Sequence, residues 1–163
     1  MNIQTIMSES SNTVLSLRGQ VLPLDNVRAV VLCFYLGTKN IEHVALTTAA
    51  ALSLYRAIKT YVSKGHCRLP GIAGREVIAR RMNELNSHYA DMIADELKRI
   101  DDDEIVVTEV DPIPDSSDLL LQSISRSASI RSYRLDVFAV HAIVAVLELC
   151  LVGSLAPVSD SRH

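Results

Sequence analysis

Near its C-terminal end the chain runs LDVFAVHAIVAVLELCLV, Leu135 to Val152, with only Asp136, His141 and Glu148 as polar interruptions. A helix with no polar face cannot lie on a surface; it has to be covered by protein or by lipid. The stretch therefore decides whether the chain builds a core around it or places it in a bilayer. A membrane span needs about 20 apolar residues. His141 and Glu148 fall inside the run, where an ionised group costs roughly 2.5–3.5 kcal/mol. No Lys/Arg cluster follows it. The expectation is a buried element of a folded domain, not a tail anchor. Its length favours a helix, with Asp136 as N-cap and Gly153 as stop. Two strands broken near His141 are the alternative, because Val137, Val140, Ile143, Val144 and Val146 favour extended structure.

At 163 residues and 48% apolar, the chain is sized for a single domain with a real core, residues 1–12 forming a loose polar arm. Trp is absent and aromatics are 4%, which argues against base-stacking and sugar-stacking surfaces. Cys33, Cys67 and Cys150 are odd in number and lack CxxC spacing, so they read as reduced thiols in a cytoplasmic setting. Residues 1–14 have neither a basic nor an apolar region of a secretory signal.

Taken in order, Thr13–Leu17 and Val21–Leu24 around Arg18-Gly19-Gln20 suggest a short hairpin. Val27–Leu36 (VRAVVLCFYL) reads as a strand, and Ile41–Leu46, past turn residues 37–40, as its antiparallel partner. Thr47 is placed to cap a helix over 48–63 that ends at Gly65. Residues 64–74 (KGHCRLPGIAG) read as a loop. A second amphipathic helix is expected over 75–100, with Ile78, Met82, Leu85, Tyr89, Met92, Ile93 and Leu97 on one face. Glu104–Val110 reads as a strand, residues 111–115 as a stiff loop and 118–122 as a short helix. In QSISRSASIRS the serines at 123, 125, 127 and 129 alternate strictly. That period is strand-like, although a polar connection is the preferred reading; Ser127, Ser129 and Ser132 near arginines form a weak phospho-acceptor pattern. The whole predicts an α+β domain: a small antiparallel sheet, helices packed on one face, and the apolar C-terminal helix in the core.

Charge is uneven along the chain. Between Arg56 and Arg81 seven basic residues face only Glu76; between Asp91 and Asp118 eleven acids face only Lys98 and Arg99. Such blocks bear on association more than on fold. Two surfaces follow. One is an acidic contact surface made of Asp101, Asp102, Asp103, Glu104, Glu109 and Asp111. The other is an anion site in the 64–81 region, using His66, Arg68, Gly74 and Arg75, with glycines ahead of a helix N-terminus. GIAG is neither a phosphate-loop nor a dinucleotide motif, so a plain turn is the competing reading.

Nothing assembles into a catalytic or metal set. His88 has Glu84 and Asp91 at helical spacing but no second histidine. His141 and Glu148, seven apart, suit a buried polar contact. No GxSxG is present. No catalytic residue, metal or cofactor is therefore expected. The sequence points instead to a small cytoplasmic, non-enzymatic protein that binds another protein, in the manner of an inhibitor or immunity protein. The expected partner is basic or nucleic-acid-binding. A homodimer is expected as well, while direct nucleic-acid binding and membrane insertion are not. The rival is an enzyme or ligand-binding protein holding an anionic small molecule at 64–81.

Overall fold

In the computed structural model the described residues are 12–24, 27–37, 40–68, 71–100 and 105–152. The fold is α+β. Strands β1 (Ser16–Leu24), β2 (Val27–Tyr35) and β3 (Ile41–Thr47) lead into helices α1 (Thr48–Ser63), α2 (Gly71–His88) and α3 (Ala90–Leu97). Strands β4 (Val107–Pro112), β5 (Leu119–Ile124) and β6 (Ile130–Leu135) follow, and helix α4 (Val137–Cys150) comes last. The strands form two antiparallel sheets, β1-β2-β3 and β4-β5-β6. Two short parallel bridges stitch them together. Thr13 meets Arg134 and Ala45 meets Ile105, with Val14 N–H donating to the Arg134 carbonyl at 3.0 Å and Val106 N–H to the Ala45 carbonyl at 2.9 Å.

The unbroken apolar run of β2 has a direct cause: both faces of its sheet are covered. Val30, Leu32 and Phe34 join the main core with α1, α4 and the second sheet. Ala29, Val31 and Cys33 point the other way, into a smaller core shared with Leu85 and Ile93. Across the main core Phe34 meets Tyr133 edge-on at 5.0 Å, tying β2 to β6.

α1 starts as its sequence implies. The Thr47 hydroxyl accepts from Ala50 N–H at 3.1 Å, and Gly65, with φ +90, takes the left-handed position past the last turn. α4 is a helix, with the Asp136 carboxylate accepting from Ala139 N–H at 2.9 Å. It is not covered on every side. Ala139, Val140, Ala142, Ile143, Val146 and Leu147 are buried and Val144 is half-buried, but Leu149 is 80% and Val152 67% exposed. No described helix is long and apolar enough to cross a membrane.

Several local expectations change. The hairpin expected over 13–24 is the single strand β1, and Gly19 is no turn residue. A Cβ there would stand 2.1 Å from Val146 Cγ1, so the glycine lets α4 press onto the strand. The 75–100 helix begins earlier, at Gly71, and breaks at Tyr89 (φ -126, ψ 20). The Tyr89 ring stacks on Tyr35 at 4.6 Å, which holds the break against β2. Asp111 and Pro112 belong to β4 and not to a loop. Residues 119–122 are strand and not helix, because Leu119, Leu120 and Leu121 are all buried in the second sheet. The serine-rich piece is a hairpin, β5 turning at 125–129 into β6.

Candidate functional site

The basic loop is organised by Cys67. This residue takes a left-handed conformation (φ 55) that non-glycine residues rarely adopt, and its side chain is buried. Its Sγ donates to the Ser117 carbonyl at 2.9 Å. Its own carbonyl oxygen lies 2.7 Å from His141 Nε2. A carbonyl only accepts, so Nε2 carries the hydrogen of this bond. Burial, then the nearby Asp118, pushes the Cys67 thiol up from 9.0 to about 11, which disfavours the thiolate that a nucleophile needs.

Pinned this way, the loop opens a cleft of about 570 Å³ between the end of α1, the start of α2 and the middle of α4, lined by Ser63, Arg68, Gly71, Arg75 and His141 among others. Its charged side chains are both cationic. Of the residues expected here, Arg68 and Arg75 come together at the cleft. His66 is exposed and packs edge-on to Tyr61 at 5.8 Å, and Gly74 is buried inside α2, not in the loop. His141, distant in sequence, is the member that local charge could not reveal. It does not pair with Glu148, whose carboxylate accepts from the Tyr55 hydroxyl at 2.7 Å.

The acidic surface is only partly in view. Asp101, Asp102, Asp103 and Glu104 lie outside the described residues. Glu109 and Asp111 stand exposed on β4 in alternation with half-buried Thr108, Val110 and Pro112, and Val107 in the same outward row is 58% exposed. The inward row packs on α1, where the Tyr61 hydroxyl donates to the Val110 carbonyl at 3.2 Å. Among the described residues no ion pair joins the 56–81 block to the 91–118 block. Arg81 pairs with Asp136 at 3.3 Å, Glu96 with His43 and Arg99, and Asp118 with Arg134 at 2.7 Å. Glu109 and Asp111 take part in none of these. The trio His88, Glu84 and Asp91 is exposed, and no group of three metal-ligating side chains occurs among the described residues.

A third place went unseen in the sequence. His43 on β3 donates or shares its Nδ1 hydrogen with Glu96 of α3 at 2.6 Å, in a contact whose side chains are 8% and 14% exposed. The same histidine lines a cleft of about 310 Å³ with Val106, Arg131 and the serines at 123, 125, 127 and 129. The strict serine alternation was the available signal; nothing local joined it to a histidine on another sheet. No protein-family model, no curated protein and no solved structure matches this chain.

Proposed function

We propose that this is a cytoplasmic, non-enzymatic binding protein that contacts another protein through the acidic row of β4 together with the run Asp101–Glu104 that precedes it. The observation that carries the reading is the state of Glu109 and Asp111. Both project into solvent beside exposed Val107, and neither is neutralised by an ion pair among the described residues. Unpaired like charges around an apolar residue suit a basic, complementary surface. An arginine- or lysine-rich groove of a nucleic-acid-binding protein is such a surface, and occupying it is how an inhibitor or immunity-type protein acts. The exposed apolar edge of α4 supports self-association into a homodimer.

The test compares captured proteins for the wild type and for E109K/D111K, cross-linked in lysate of the source cell at low and high salt. The reading expects a partner retained by the wild type, weakened by salt and absent from the variant. An identical set of captured proteins for both chains removes it.

A second reading has its own support: Arg68, Arg75 and His141 converge on one cleft with no carboxylate among its described lining residues. It is that of a protein holding an anionic small molecule, whether as a receptor or as an enzyme. Phosphate or sulfate should then raise the melting temperature, and R68A/R75A should remove the gain.

A further inference from the structure

The alternating serines are not needed to make a turn; one hairpin needs no more than a few polar residues. In the folded chain all four line one cleft with His43 and Arg131. Two features separate this hollow from an ordinary surface dent. Ser123 is 4% exposed and lines the cleft. Its hydroxyl is not one of the buried atoms left without a partner, and it stands where a ligand oxygen can accept from it. His43 is nearly as deep, and Glu96 fixes its ring through Nδ1 at 2.6 Å, as second partners fix working imidazoles elsewhere. Around them the hairpin is ordered by its own hydroxyls. Ser125 and Ser127 Oγ lie 2.9 Å apart, and Ser129 N–H donates to Ser125 Oγ at 3.1 Å.

We propose that this cleft binds a small oxoanion, free or as the phosphate or carboxylate group of a small molecule. Hydroxyls and a guanidinium all donate to such oxygens. No Phe, Tyr or Trp is among the described residues that line the cleft, so a base or sugar lacks the large stacking face it favours. Carboxylates stand near. Glu42 is 3.6 Å from Arg131 and accepts from Tyr133 at 2.8 Å, and Glu96 also holds Arg99 at 3.1 Å. They disfavour a highly charged ligand, so the hydroxyls do most of the holding and a compact, singly charged oxoanion fits best. The site is independent of the β4 surface and of the basic cleft.

The experiment titrates the full chain with inorganic phosphate, and separately with acetate, at about pH 6, where phosphate is largely the monoanion. The His43 ring resonances and the melting temperature are followed together. Phosphate or acetate should move the His43 ring in the wild type, and the stronger of the two responses assigns the class. Replacing Ser123→Ala or Arg131→Gln should weaken that response about tenfold, whereas R68A/R75A should leave it unchanged. A His43 ring unmoved by both probes overturns the proposal, and so does a response that R68A/R75A abolishes. Because the ring is read in the unaltered protein, a variant that fails to fold does not decide the matter.

Discussion

His141 of α4 donates its Nε2 hydrogen to the carbonyl oxygen of Cys67, 74 residues earlier, at 2.7 Å. The bond ties a residue in left-handed backbone, next to Arg68 in the chain, to the histidine that lines the basic cleft. Replacing His141 by Ala should cost about 1 kcal/mol, the net worth of one hydrogen bond. It should also expose Cys67, whose buried thiol ought to react slowly in the wild type. Urea melts and the rate of thiol labelling by an aromatic disulfide check both. Labelling at Cys67 that is no faster in H141A means the bond does not hold the loop.

Gly19 of β1 lies so close to Val146 of α4 that a Cβ on the glycine has no room. Gly19→Ala should destabilise by about 1–3 kcal/mol through overpacking. Trimming the offending atom with Val146→Ala should recover part of that in the double variant, giving a coupling of roughly 0.5–3 kcal/mol. Additive effects in a double-mutant cycle by denaturant titration would show that the strand moves aside instead.

Alkaline pH should weaken the fold. Burial first, then Glu96, raises the Cys33 thiol from 9.0 to about 11, with Arg18 opposing, and Cys67 is raised similarly. A raised folded value means the native state keeps its protons while the unfolded chain loses them. The contribution is complete below about 9 and is lost as pH climbs to about 11, on the order of 2 kcal/mol for Cys33. Tyr133, raised by burial and then by Glu42, acts in the same direction at higher pH. Denaturation midpoints at intervals from pH 8 to 11 should fall, and fall less steeply in Cys33→Ala.

If the exposed edge of α4 is a two-fold contact, the wild type should scatter as a dimer at micromolar concentration in both low and high salt. Leu149→Lys should then be a folded monomer, since Leu149 is 80% exposed and its loss leaves no internal cavity. A monomeric wild type rejects the homodimer.

Local chemistry made part of this architecture readable. The Thr47 cap, the two-faced run of β2 and the Asp136 start of α4 each follow from a few adjacent residues. What escaped was decided at a distance. Leu119-Leu120-Leu121 favours helix by intrinsic preference, but burial in the second sheet overrides it. Gly19 looked like a turn because the helix that needs it lies more than a hundred residues away. The same holds for the clefts. Arg68 and Arg75 stood out as local charge, whereas His141, and the pairing of His43 with Glu96 53 residues apart, exist only once the elements have packed.

The two bridges that stitch the sheets have a consequence for the order in which the chain can mature. Strands β1 to β3 and α1 are local and can form as soon as they are synthesised. Yet Val14 N–H finds its acceptor in the Arg134 carbonyl, and one face of β1 at Gly19 lies against Val146 of α4. Until the last fifth of the chain emerges, a nascent domain therefore carries an uncovered apolar face and an unsealed margin, the features that invite aggregation. A chain stopped at Pro112 should for that reason be sticky and protease-sensitive, and one stopped just past Val152 should not.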